Sequence, residues 1–193
     1  MSNGNLPEAI ADYDKAIELA PPFAQAYHNR AIAHDAMGNP DKAIADYGKA
    51  ILLRPRYALA YLNRGLLHAK LGQQELALAD CDRSIELNPR DALAWSARGN
   101  LYAQLNDLAA AIRDFTRAVE LDPKMGLAYY HRALAHQSVG SHQLAVDDFT
   151  RCIELQPANT KAYVMRAHSY GSLGLIEQRI GDLQAALQLA RLN

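Results

Sequence analysis

Five prolines, Pro21, Pro55, Pro89, Pro123 and Pro157, recur at a constant interval, and nothing else in the chain restricts its fold so tightly. The stretch from Asp91 to Lys124 shows the repeating unit most fully. It carries Trp95, Arg98, Gly99 and Tyr102, then Ala111, Phe115 and Ala118, then Pro123. A unit of this size cannot close a core alone, so apolar surface has to be buried between successive copies. The 193 residues, 50% hydrophobic and 21% charged, would otherwise suggest one or two globular domains. The period replaces that reading with a single array: a half repeat at 1–23, full repeats at 24–57, 58–91, 92–125 and 126–159, and a divergent repeat at 160–193. The first unit counts as a half because Gly4, Ala9, Tyr13, Ala16 and Pro21 match Asn106, Ala111, Phe115, Ala118 and Pro123.

Within each unit the first half shows apolar recurrence at helical spacing, as in Tyr61, Gly65, His68 and Leu71, which reads as an amphipathic helix, here called type A. Gly38, Gly72, Gly140 and Gly174 fall where such a helix needs a left-handed residue to stop, with Asn106 as the substitute. A second helix, type B, follows, for example Pro40 to Arg54. It runs out near the repeating proline, which cannot extend a hydrogen-bond ladder. Connections this short imply antiparallel neighbours.

The pattern of aromatic, small residue and aromatic in helix A, alanine and aromatic in helix B, and then proline resembles the tetratricopeptide repeat (TPR) family over nearly the whole chain. The resemblance implies an all-α, right-handed α-solenoid (superhelix) of antiparallel helix pairs. Ala31, Gly65, Gly99, Ala133 and Ala167 are expected to let helix B approach helix A, with Ala43, Ala77, Ala111 and Ala145 doing the same from the other side. Tyr27, Tyr61, Trp95, Tyr129 and Tyr163 are expected to fill the space between units. Arg179 and Arg191 depart from the pattern at the positions of the helix-B alanine and the proline.

Charges repeat in the same phase. Arginine recurs as Arg30, Arg64, Arg98, Arg132 and Arg166, and aspartate as Asp12, Asp46, Asp80, Asp114, Asp148 and Asp182. The spacing predicts structural ion pairs in which each aspartate meets the arginine of the following unit, Asp12 with Arg30 and so on to Asp148 with Arg166, leaving Asp182 over. His34, His68 and His136 are expected to face helix B, whereas His28, His131 and His168 lie on the opposite face, where a ligand could reach them. Cys81 and Cys152 fall at apolar helix positions without zinc-type spacing and read as small buried hydrophobes. No metal site, cofactor or catalytic residue is predicted: the chain has no HExxH, glycine-rich phosphate loop or nucleophile elbow.

The face of helix A left over after packing is the candidate site. The TPR resemblance implies that it lines a concave surface. It carries Leu59, Leu62, Asn63 and Leu66 in one repeat, then Leu93, Ser96 and Asn100, then Leu127, Tyr130, His131 and Leu134, then Lys161, Val164 and His168. Such a lining is apolar and nearly uncharged, which suits a protein or peptide partner. The carboxylate clamp of co-chaperone members of the family is incomplete here: Asn100 and Lys161 are in place, while Ser96, His131 and Met165 occupy the other positions. Net charge is −1, so neither nucleic acid nor membrane is an expected partner. No apolar run approaches the roughly 18 residues of a membrane span, and the cytoplasm is the favoured compartment. The reading is a non-catalytic interaction scaffold. Its alternatives are a module that self-assembles through its unfinished ends, above all through the N-terminal helix 5–20, and the targeting arm of a larger enzyme. A milder open surface is expected on the last helix, at Gly181, Ala185 and Leu189.

Overall fold

A computed structural model describes residues 6–192 and shows eleven helices among them, with no strand. Gly4, Asn5 at the start of the expected helix 5–20, and Asn193 lie outside the described residues. The helices group into two compact units, the first reaching Arg90 and the second beginning at Asp91. The first holds α1 (Leu6–Leu19), α2 (Ala24–Ala36), α3 (Pro40–Leu53), α4 (Ala58–Lys70) and α5 (Gln74–Leu87). The second holds α6 (Ala92–Gln104), α7 (Leu108–Leu121), α8 (Gly126–Ser138), α9 (His142–Leu155), α10 (Thr160–Ser172) and α11 (Ile176–Leu192).

Even-numbered helices are type A and odd-numbered ones type B. Each A helix packs most closely on the B helix that follows it, α2 on α3 and α4 on α5 in the first unit, and α6 on α7, α8 on α9 and α10 on α11 in the second. Within the first unit α1 meets α2 and α3 meets α4, and within the second α7 meets α8 and α9 meets α10. Inside each unit the pairs therefore stack side by side as in a solenoid. The turns inside a pair follow from backbone chemistry: Gly38, Gly72, Gly140 and Gly174 have φ between 74° and 77°, and Asn106 sits at 62°. These left-handed residues end helix A and free the chain to reverse at once.

The cores are built from the repeating small and aromatic positions. Ala133, Ala145, Phe149, Cys152, Ile153 and Ala162 form one buried cluster, with Tyr129 and Tyr163 packed at its edge. Ala31, Ala43, Tyr47 and Leu67 form its counterpart in the first unit. Gly99 shows how close the helices come, since a Cβ placed there would lie 2.9 Å from the Phe115 ring. Cys81 and Cys152 are both buried free thiols.

The ion-pair ladder differs from the sequence expectation. Each arginine grips the aspartate of its own helix pair: Arg30 with Asp46, Arg64 with Asp80, Arg98 with Asp114, Arg132 with Asp148 and Arg166 with Asp182. The geometry is bidentate, with Nε and Nη2 each 2.6–2.9 Å from a carboxylate oxygen. The reason lies in the register of helix B. Asp46 shares a face with Ala43, Tyr47 and Ala50, which are all buried, and three- and four-residue spacings put that face against its own helix A. Asp182 is therefore paired, and Asp12 is the member outside the ladder. The third arginine nitrogen does reach backwards: Nη1 donates to Asp14 from Arg30, to Thr116 from Arg132 and to Thr150 from Arg166. Every ladder arginine also lies over the aromatic ring three positions before it, 4.9–5.8 Å from the centroid.

His34, His68 and His136 face helix B as expected, with Nε2 4.0 Å from an oxygen of Asp46, Asp80 and Asp148 respectively. His28 does not reach a ligand. It is 1% exposed and sits between the rings of Tyr47 and Tyr57, at 5.6 and 4.9 Å. Burial holds its pKa below the ordinary histidine value.

Candidate functional site

The predicted lining residues divide by register. In the second unit Leu93, Leu127, Lys161, Val164 and His168 are exposed, with Leu93 the most open of the apolar ones at 62%. Asn100, Tyr130, His131 and Leu134 are half-buried beside them. In the first unit Leu59 and Leu66 are exposed and Asn63 is half-buried.

Two of the expected residues are corrected. Leu62 and Ser96 are buried, so neither presents its side chain to a ligand in this conformation. Both hold the fifth position of an A helix, the position of His28 and Tyr130. At that position the side chain turns onto the aromatic ring of its own helix B: His28 lies 5.6 Å from Tyr47, and Tyr130 meets Phe149 edge-on at 5.7 Å. Val164 holds the fifth position of α10 but stays exposed, because α11 carries Leu183 where α3 and α9 carry Tyr47 and Phe149.

His131 occupies the next position and behaves differently. Its ring stacks on Phe115 at 5.9 Å, with an interplanar angle of 20°, and Tyr130 meets it at 5.5 Å. Burial lowers its pKa, so near neutral pH it is an uncharged imidazole with one donor and one acceptor nitrogen.

The first unit contains a cavity that the sequence reading did not single out as such. It is open to solvent, holds about 300 Å³ and is lined by Ile32, Asp35, Tyr47, Asn63, Leu66, Leu67 and Lys70, between α2 and α4. Lys70 Nζ lies 3.1 Å from Asp35 Oδ1 across it, so the two charges cancel and the remaining wall is mainly apolar, with Asn63 and Tyr47 as its neutral polar groups. Tyr47 forms its floor. Burial, reinforced by the Asp35 charge, pushes the phenol up to about 12, and it stays a neutral hydroxyl. Ile32 was recoverable from sequence, since it has the same register as Leu66, whereas the inclusion of Tyr47 and Lys70 depends on how two A helices lean together.

Among the described residues no group of three or more histidines, cysteines, aspartates or glutamates is arranged to hold a metal ion, and no helix is long and apolar enough to cross a membrane. The outer arginines are matched along their own helices. Arg83 lies 2.8 Å from Glu86 in the first unit, and Arg117 and Arg151 lie 3.0 and 2.8 Å from Glu120 and Glu154 in the second. They share one repeat position with Lys49, and the glutamates leave little field there for an anionic partner.

The sequence matches family models described as tetratricopeptide repeat or TPR repeat over residues 1–38, 24–57, 73–129, 127–159 and 160–191. No curated protein matches it. Among solved structures, the chain is similar to MamA, at 24% identity and a TM-score of 0.79, over 83% of this chain and 94% of that one. It is similar to YrrB, a TPR protein with an unusual peptide-binding site, at 21% identity and a TM-score of 0.78, over 92% of this chain and 91% of that one. It is also similar to a MamA fragment from Desulfovibrio magneticus RS-1, at 17% identity and a TM-score of 0.81, over 88% and 96%. At these identities the likeness concerns the fold.

Proposed function

The chain belongs to the tetratricopeptide repeat family, and from that premise we propose that it is a non-catalytic scaffold that holds a peptide or partner helix against the A-helix face. The observation that carries this reading is the exposed, nearly uncharged row of Leu93, Leu127 and Val164 in the second unit. Half-buried Asn100 and His131 stand beside it as neutral hydrogen-bonding groups. Apolar side chains held open on rigid helices supply anchors, and the amide and imidazole set the register of what lies on them. Leu59, Leu66 and Asn63 extend the same chemistry to the first unit, where the cavity of about 300 Å³ accepts one large apolar side chain. Apart from the Asp35–Lys70 pair at that cavity, Lys161 is the single formal charge among the proposed contacts, so acidic tails should bind poorly.

Leu93→Arg tests the mechanism. The position faces solvent, so the variant should fold, while affinity for the native partner falls by about 2 kcal/mol or more. Salt should change the wild-type affinity only slightly. An unchanged affinity in the variant, or a weakening of about tenfold from added salt, would point away from this groove.

Self-association through the N-terminal helix is a second reading, favoured by α1, which has no buried residue. Ala9, Ile10, Tyr13, Ala16 and Ile17 are half-buried along it, and covering what two of the larger ones still expose is worth roughly 1.5–3 kcal/mol. Sedimentation over a range of concentrations distinguishes this reading, since a monomer throughout removes it.

A further inference from the structure

We infer that the outward face of α11 is a docking site for a partner helix of type A, a surface separate from the groove. Ile176, Ile180, Leu183 and Leu187 fall at i, i+4, i+7 and i+11, which places them in one stripe along the helix, and they are 43–54% exposed. This differs from the sequence expectation, which put the open surface at Gly181, Ala185 and Leu189. Ala185 and Leu189 are half-buried, and Leu189 takes part in contacts of its own.

The occupant follows from an interface that the second unit already contains. Counting back one full repeat, Ile180, Leu183 and Leu187 correspond to Val146, Phe149 and Ile153 of α9, none of which is more than 9% exposed. That surface is closed on one side by its own helix α8 and on the other by the following helix α10, and it is the counterpart of α10 that α11 lacks among the described residues. On α7 the equivalents Phe115 and Val119 are likewise buried, with α8 beside them. Both covering helices open with the same signature, Gly126-Leu127-Ala128-Tyr129 and Thr160-Lys161-Ala162-Tyr163. Ala128 and Ala162 are fully buried, because a small side chain there lets the two backbones approach while the aromatic fills the side. The α11 stripe is the same ridge in the same phase, and the helix that fits it carries a small residue, then an aromatic directly after it.

A polar contact selects the partner further. Three positions after the aromatic, each covering helix places an arginine whose Nη1 donates to the preceding B helix: Arg132 to Thr116 at 3.2 Å and Arg166 to Thr150 at 2.8 Å. The residue one repeat after Thr150 is Gln184, exposed on α11, with an amide oxygen able to accept the same donor. The docked segment is therefore an amphipathic helix of about three to four turns with the order small, aromatic, two residues, arginine.

The probe is a synthetic peptide with the sequence of residues 124–140, end-capped and titrated into the intact chain by calorimetry. Saturable one-to-one binding is expected. Leu183→Glu and Ile180→Glu in the chain should each weaken it about tenfold or more; both sites are solvent-exposed, and circular dichroism checks that the variants fold. A peptide carrying Arg132→Ala should bind several-fold more weakly. Absence of saturable binding, or binding indifferent to Leu183→Glu, overturns the inference. So does a chain that dimerises alone and becomes monomeric on Leu183→Glu, because the face then takes a second copy.

Discussion

Asp148 accepts from Arg132 Nε and Nη2 at 2.8 and 2.6 Å, with side chains only 9% and 17% exposed. Deleting the carboxylate strands a guanidinium that water can hardly reach. Asp148→Ala should therefore cost about 2–4 kcal/mol, read from the shift of a chemical denaturation curve. Asp12, exposed and outside the ladder, should tolerate alanine within about 0.5 kcal/mol. That the two families of charges pair was legible from their common period, but the partner was not. Asp46 stands almost midway in sequence between Arg30 and Arg64, and only its burial with Ala43, Tyr47 and Ala50 decides between them. Gly99 makes a second case at this scale. Alanine is the better helix former by about 1 kcal/mol, yet its Cβ would meet three Phe115 ring atoms at 2.9–3.2 Å, and Phe115 is fully buried. Overpacking should win by about 1 kcal/mol. Phe115→Leu in the same chain should recover part of that loss, which a double-mutant cycle measures.

The helices themselves were readable because their ends rest on single residues. Four glycines and Asn106 take positive φ at the expected places, and only the final residue of a helix shifts, α3 stopping at Leu53 rather than Arg54. Gly140→Ala should thus destabilise the α8–α9 pair by about 1 kcal/mol, since a Cβ is strained at φ 77° although nothing lies within 4 Å to clash with it. Asn106→Gly should stabilise by less than about 1 kcal/mol for the same reason; thermal unfolding of both variants checks the opposite signs. Which side of a helix is free was harder to read. Periodicity places the fifth position of helix A near the open face, but Tyr47 and Phe149 project from the neighbouring helix and cover His28 and Tyr130 in part or whole. A ring reaching across from another element leaves no trace in the local pattern. The α11 stripe escaped for a related reason: Arg179 disturbs the expected alanine register there, and the exposed ridge lies on the other flank.

At the scale of the whole chain, ionisation is concentrated in a few histidines, because the arginine ladder stays charged throughout the ordinary pH range and the outer arginines are matched by glutamates. His28 in the first unit and His131 and His136 in the second all have their pKa lowered below 6.5, in each case first by burial. For a lowered histidine pKa the folded state is the one that resists protonation. Between the folded value and 6.5 the unfolded chain binds more protons, so acidification favours unfolding across that window. Below the folded value both states are protonated and the loss stops growing. The thermal midpoint should consequently fall as pH drops from about 7 to about 5, at constant ionic strength. His28→Leu should flatten that slope, since the residue is closed in by Tyr47 and Tyr57 and its Nδ1 has no hydrogen-bond partner. Replacing it with an apolar side chain removes the proton uptake and an unsatisfied buried nitrogen together, so the variant should also be at least as stable as the parent at about pH 7. Calorimetry of both proteins at several pH values decides the matter: parallel curves would mean that His28 is accessible to protons in the folded chain, and that the ring packing around it opens more readily than its burial implies.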